Sequence, residues 1–245
     1  MTDAELAARL ARAAGELLLE RRAALLAEGI AGKALGAEGD AAANALICEA
    51  LRIARPDDGL MSEEEKDNPA RLAKSRVWIV DPLDGTREYG EERGDWAVHV
   101  ALAIDGATSI GAVALPEFGL VLRSDQPAVI LPPPARLRMV VSRTRPAAEA
   151  MIVAAALDAE VIPMGSAGAK AMAVVRGEAD IYLHSGGQYE WDNCAPVAVA
   201  LGHGLHASRI DGSPLVYNQA DTYMPDLLIC RPGHAATVLG LLASK

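Results

Sequence analysis

The run Val77-Trp78-Ile79-Val80, followed at once by Asp81-Pro82-Leu83-Asp84-Gly85-Thr86, constrains this chain more than any other feature. Consecutive apolar residues of this kind suit a buried strand. The strand then ends in Asp81, and a second carboxylate follows three residues later, at Asp84. Pro82 has no N–H for a ladder, so it is expected to stop the strand, force a turn and let Asp81 and Asp84 converge on one point. Gly85 lets the backbone approach a ligand. Gly85 and Thr86 would open the next element with free N–H groups, a good place for a phosphate. Two carboxylates so close oppose joint ionisation unless a cation lies between them, and an all-oxygen site suits magnesium. The plain alternative is a strand-end turn capped by aspartates, which a lone D-x-x-D would favour. The whole string behind a buried strand favours the cation.

Other acidic groups stand apart in sequence. Glu63 and Glu64 follow a short strand expected around Leu60 and Met61. Acidic runs are usually solvated surface, but a strand end just before the Asp81 strand favours a shared site for at least one of them. Trp191-Asp192-Asn193-Cys194-Ala195-Pro196 opens a helix of apolar and small residues, where Asp192 reads ordinarily as an N-cap. The histidines, at 99, 184, 203, 206 and 234, show no metal-ligand spacing, and core or surface roles are expected for them. Neither G-x-S-x-G nor a P-loop string occurs, so serine-hydrolase and NTPase readings lack support.

Around these motifs the chain divides in two. Residues 2–28 read as an amphipathic helix, with Thr2 and Glu5 as a capping box and Gly29 as the stop. A second helix is expected from Asp40 to Ala54, ending before Pro56. After the Asp81 strand, Trp96, Val98, Val100, Leu102 and Ile104 alternate at period 2, Asp105-Gly106 supplies a hairpin turn, and strands near 109–115 and 119–123 complete a meander. Pro132-Pro133-Pro134 is the best linker candidate. Beyond it, strands are expected at 137–141, 161–163, 181–183, 205–207 and 227–230, with helices between several of them and one at 234–244. Such alternation implies an α/β half.

Composition excludes several partners. The net charge of -10 repels nucleic acid polymers and anionic membranes. No apolar run approaches the roughly 20 residues of a membrane span, and charges interrupt the N-terminal helix as no signal peptide would allow. The odd count of 3 cysteines, widely spaced, argues against a disulfide framework or a zinc ribbon. The expected location is the cytoplasm. A small phosphorylated molecule remains a fitting partner if metal ions or backbone N–H groups neutralise it.

Three separated motifs thus stand in order: Ser62-Glu63-Glu64, then Asp81 to Thr86, then Trp191-Asp192 with Ala195-Pro196. Over essentially its full length the chain resembles the inositol monophosphatase superfamily of magnesium-dependent, lithium-sensitive phosphatases. The resemblance implies an α/β protein with a layered αβαβα sugar-phosphatase fold. Residues 1–134 would form a helix-plus-antiparallel-sheet half carrying most metal ligands. Residues 135–245 would form an α/β half carrying Asp192 and the substrate-side residues. Two or three Mg2+ ions are implied: Glu63, Asp81 and the Leu83 carbonyl at the first, and Asp81, Asp84 and Asp192 at the second. Thr86, paired with Asp40, would orient a metal-activated water, so Asp40, Glu63 and Thr86 are the implied catalytic residues. Homodimers are common among related enzymes, and monomers occur among the nucleotidases.

Within the superfamily, Gly85-Thr86-Arg87-Glu88-Tyr89 is similar to the G-T-[KR]-E-F string of the 3'(2'),5'-bisphosphate nucleotidases, which hydrolyse 3'-phosphoadenosine 5'-phosphate (PAP), a by-product of sulfate assimilation and sulfation, to AMP. Ser142, Arg143, Gly165, Ser166 and Lys170 lie in segments that resemble that branch's substrate side, beside Glu63, Leu83, Asp84, Gly85, Thr86 and Asp192. Ser185 stands where inositol enzymes place a sugar-binding glutamate. Two positions depart from the usual pattern. Gly36 replaces a threonine ahead of Asp40, and Arg145 replaces a histidine; an arginine there pairs with a 5'-phosphate or lies on the surface. Lys170 is the other cationic candidate, unless it is a helix-end lysine. The alternatives are a phosphatase of inositol phosphates or fructose 1,6-bisphosphate on the same metal site, and a non-catalytic nucleotide or sugar-phosphate sensor on the same fold.

Overall fold

The computed structural model describes residues 1–127 and 135–243. The expected linker at Pro132-Pro133-Pro134 lies outside the described residues.

Helix α1 (Asp3–Ala27) begins with the expected capping box: the Thr2 hydroxyl accepts from the Glu5 N–H at 3.2 Å, and the Glu5 carboxylate accepts from the Thr2 N–H at 2.8 Å. Helix α2 (Gly32–Ala54) starts well before the expected Asp40, which makes Asp40 a mid-helix residue. Gly36 and Gly39 lower helix propensity, but tertiary packing overrides it here. Leu6, Leu10 and Leu18 of α1 and Leu35, Ala43, Ile47 and Leu51 of α2 form one apolar cluster with the face of a sheet.

That sheet is ordered β1-β2-β3-β4-β5, from β1 (Gly59–Ser62), β2 (Arg76–Asp84), β3 (Ala97–Ile104), β4 (Ala107–Leu115) and β5 (Leu120–Arg123). β1 runs parallel to β2, and the other pairs are antiparallel. Pro82 does not stop the strand as expected. β2 continues through it to Asp84, and the register against β3 jumps between Asp81, opposite His99, and Asp84, opposite Ala97. The donor that proline lacks falls within this bulge, where no ladder bond is required, and the bulge re-aims both aspartates.

The second sheet is ordered β7-β6-β8-β10-β9, from β6 (Arg138–Ser142), β7 (Glu160–Met164), β8 (Ile181–Tyr189), β9 (His206–Ser208) and β10 (Tyr223–Cys230). β7, β6 and β8 are parallel neighbours, while β10 and β9 run antiparallel. Helices α5 (Ala167–Val175) and α6 (Glu190–Gly202) lie between the two sheets in a shared apolar cluster containing Val77, Ile79, Met172, Val174, Val197 and Ile229. Helices α4 (Ala148–Ala156) and α7 (Pro232–Ala243) cover the outer face of the second sheet, with Val153, Leu183, Leu228 and Val238 between them. The order is helices, sheet, helices, sheet, helices, which is the expected αβαβα layering. Helix α3 (Thr86–Gly90) is a single turn at the end of β2.

Candidate active site

The bulge in β2 and the start of α6 bring Asp81, Asp84 and Asp192 together. One carboxylate oxygen from each lies within 4.8 Å of the others, the group of three expected from sequence. Glu63 falls outside that span and leaves the end of β1, its N–H donating to the Val80 carbonyl at 3.2 Å. It still feels the cluster: its enclosure and the charges of Asp84 and Glu64 push its carboxyl up to about 7. Burial and the charge of Asp84 raise Asp192 to about 7. Asp81 is driven well above the usual carboxylate range by burial and by Glu63 and Asp84. Such convergence of acidic groups is unfavourable unless positive charge offsets it.

Two elements of the protein offset part of it at Asp84. Its Oδ1 accepts from the Ala167 N–H at 3.2 Å and its Oδ2 from the Gly168 N–H at 2.5 Å, at the opening of α5. His99 Nε2 lies 3.2 Å from Asp84 Oδ2, while Nδ1 is 3.1 Å from the Trp191 carbonyl oxygen. Burial alone would raise Asp84, but His99 and these N–H groups hold it below its ordinary value. Burial alone would lower His99, but Asp84 holds it above its ordinary value. His99 is fully buried, as the core reading of the histidines allows, but its contact with Asp84 was not foreseen from the sequence. Its signal was its place on the period-2 strand that pairs with the Asp81 strand.

The donor set fits a hard cation. Asp81 Oδ2 is buried without a hydrogen-bond partner, and so is Asp40 Oδ1. Only oxygen donors converge, and buried unpaired carboxylate oxygens are costly without a cation. Asp192 is the third residue of α6 and not its N-cap; Tyr189 holds that place, and its N–H donates to Asp192 Oδ2 at 2.6 Å. The start of the helix therefore fixes the Asp192 carboxylate at the cluster.

Thr86 sits one turn beyond. Its hydroxyl oxygen is 3.2 Å from Asp40 Oδ2 and 3.1 Å from the Leu83 carbonyl oxygen, so the expected Asp40–Thr86 pair forms. The Leu83 N–H donates to Asp81 Oδ1 at 3.1 Å. Gly85, between Leu83 and this turn, has φ of 94°, a left-handed conformation that suits glycine. Burial, with Glu64 and Glu63 nearby, pushes Asp40 up to about 8.

A cavity of about 280 Å³ opens beside Asp84 and Asp192. Gly85, Ser142, Arg143, Gly165, Ser166 and Lys170, which the sequence resemblance groups as substrate-side residues, all line it. Their polar groups are largely committed to the protein. Arg143 pairs with Glu88 at 2.8 Å and also with Glu91. The Gly165 N–H donates to Asp95 Oδ2 at 2.6 Å. Ser166 caps α5, its hydroxyl oxygen accepting from the Ala169 N–H at 3.0 Å. Lys170 is not a helix-end lysine: it is buried, donates to the Gly165 and Ser166 carbonyls, and lies 5.4 Å from the centre of the Tyr182 ring. Burial pushes its ammonium down to about 8, against the opposing pull of Asp84 and Glu88. Ser185 donates to Glu149 at 2.7 Å.

The sequence profile of the inositol monophosphatase family matches residues 2–129 and 135–240. The chain belongs to this family. Its members are metal-dependent, and the acidic cluster is suited to that chemistry. A 3'-phosphoadenosine 5'-phosphate phosphatase of Mycobacterium leprae is 50% identical over 256 aligned positions, spanning 99% of this chain and 94% of that protein. The 3'(2'),5'-bisphosphate nucleotidase CysQ of Escherichia coli K12 is 29% identical, with 76% of this chain and 80% of the relative aligned. Among solved structures, CysQ from Bacteroides thetaiotaomicron superposes with a TM-score of 0.76 at 24% identity, over 94% of this chain and 97% of that one. Inositol monophosphatase II from Staphylococcus aureus superposes with a TM-score of 0.79 at 20% identity, over 96% and 93%. Both share the inositol monophosphatase fold.

Proposed function

We propose that this protein is a 3'(2'),5'-bisphosphate nucleotidase that hydrolyses PAP to AMP and phosphate, using two or three Mg2+ ions. The observation that carries the reading is the half-identity, over almost the whole length of both chains, with a PAP phosphatase. Ser185 supports it, since the position of the inositol enzymes' sugar-binding glutamate is taken by a residue bonded to Glu149.

Asp81, Asp84, Asp192, Glu63 and the Leu83 carbonyl would hold the ions. Bound magnesium would polarise the phosphoryl oxygens and lower the pKa of the attacking water. The protein's own groups supply position. The α5 amides and His99 fix Asp84 so that its carboxylate cannot rotate away. The Thr86 hydroxyl, with Asp40 as its acceptor, orients the water. Gly85 caps the short helix that Thr86 begins, and the first N–H groups of a helix have no partner within it, so these two would be available to the phosphate. Arg143 and Lys170 shape the cavity wall through their bonds to protein groups. The work fits the cytoplasm; among the described residues no helix is long and apolar enough to cross a membrane.

Phosphate release from PAP, inositol 1-phosphate and fructose 1,6-bisphosphate, each with magnesium and with EDTA, tests the reading. A magnesium-dependent preference for PAP is expected. Comparable rates on all three would defeat the nucleotide assignment while leaving the metal chemistry. No release from any would favour a non-catalytic sensor.

A further inference from the structure

Four cationic side chains line the cavity beside Asp84 and Asp192: Arg87, Arg143, Lys170 and Arg145. Three have their charge engaged by the protein. Arg87 pairs with Glu91 at 2.9 Å, Arg143 with Glu88 and Glu91, and Lys170 donates to two backbone carbonyls. Arg145 differs. Its guanidinium has no hydrogen-bonded or ion-paired acceptor among the described residues.

The backbone of Arg145 is anchored, while the residue itself is exposed. Its backbone N–H donates to the Ser142 hydroxyl oxygen at 3.2 Å, which fixes the turn after β6. Its guanidinium turns the Nη1–Nη2 edge toward Gly187 on β8: a β-carbon built there would come within 3.0 Å of Nη1, 3.4 Å of Nη2 and 3.6 Å of Cζ, so only a glycine leaves that edge room. The cavity thus has an acidic end, suited to cations and a scissile phosphate, and a cationic rim with one uncommitted planar fork. Such a fork matches a phosphate dianion in two parallel hydrogen bonds, which a lysine cannot do.

We propose that Arg145 binds the second phosphate of the substrate, the one that is not cleaved, and so selects bisphosphates over monophosphates. The inference rests on the nucleotidase reading and adds to it the residue that reads the remote phosphate. In place of Arg143 and Lys170, whose polar groups face protein partners, Arg145 becomes the chief cationic contact to that group.

The test compares kcat/KM for adenosine 3',5'-bisphosphate and adenosine 3'-monophosphate in the wild type, Arg145→Ala and Arg145→Lys, with magnesium. Arg145→Ala is expected to reduce the preference for the bisphosphate by at least about tenfold, chiefly through KM, since charge-assisted bonds of this kind carry that much or more. Arg145→Lys should restore part of it by keeping charge without the fork. An unchanged preference in Arg145→Ala, or an equal fall on both substrates, overturns the role of Arg145 while the nucleotidase reading stands. A wild type that releases no phosphate from the bisphosphate overturns both.

Discussion

Gly36 lies directly against Thr86: a β-carbon on Gly36 would sit 2.7 Å from Thr86 Cγ2 and 2.8 Å from the Thr86 carbonyl oxygen. Gly36 and Asp40 are one helical turn apart and so share a face of α2. That face clasps Thr86 with the glycine below and the Asp40 carboxylate 3.2 Å from its hydroxyl. The unusual residue ahead of Asp40 is therefore a packing requirement of the Asp40–Thr86 pair in this chain.

Gly36→Ala separates two effects. Helix propensity alone would stabilise α2 by about 0.5–1 kcal/mol. The clash works the other way, because the atoms in contact are backbone and a β-branched side chain with no room to yield. Pushing Thr86 off its place should lower kcat by roughly tenfold to a hundredfold, the scale expected when a positioning group moves by a fraction of an ångström to an ångström. Steady-state kinetics beside a thermal melt checks this, and full activity in the variant would refute the clasp.

Asp84→Asn removes one charge from the cluster and mismatches its donors. The carboxylate accepts from the Ala167 and Gly168 N–H groups and faces His99. An amide turns an NH2 toward at least one of these donors, at a cost of about 1–3 kcal/mol in stability. Turnover should fall by at least about a thousandfold, since a metal ligand and several kcal/mol of charge stabilisation go together. Circular dichroism should show a folded protein. Substantial remaining turnover would remove the metal mechanism.

What the sequence revealed of this site, and what it hid, follows from how far apart the partners are. Asp81, Asp84 and Thr86 were legible because one strand and one turn carry all three. The αβαβα order was legible through the family resemblance, and the meander through its period 2. His99 was not, since its place opposite Asp81 depends on strand register, which pairing decides and composition does not. Lys170 reads as a cationic substrate candidate, with a helix-end lysine as the plain alternative, because nothing local announces that Tyr182 and two carbonyls will enclose it. The early start of α2 was hidden by Gly36 and Gly39, whose low propensity mimics a loop. Pro82 misled in the opposite sense, because a bulge can hold a proline inside a strand.

Lithium offers a check on the cluster that needs no mutation. A small monovalent ion can occupy an oxygen site shaped for magnesium, yet it polarises its ligands far less. Inhibition of PAP hydrolysis at roughly millimolar lithium is expected, relieved in part by higher magnesium. Activity unaffected at tens of millimolar, an order-of-magnitude bound, would show that no ion site of magnesium type governs turnover.

His184 gives a pH signature away from the metal ligands. It is buried on the cavity wall, its Nε2 is 2.8 Å from the Gly186 carbonyl oxygen, and burial together with the charge of Lys170 pushes its pKa down to about 4 from the ordinary 6.5. The folded protein thus prefers the neutral ring. Well above pH 6.5 both folded and unfolded states are neutral and His184 has no effect on the pH dependence. As pH falls from 6.5 toward 4, the unfolded chain takes up the proton and the folded one does not, so stability is lost across that window and levels off below it. The loss amounts to at most about 3 kcal/mol. His184→Gln keeps a donor for Gly186 and cannot titrate. Urea unfolding at a series of pH values should show the wild type losing more stability than the variant between pH 6.5 and 4, and parallel curves would contradict the buried neutral imidazole.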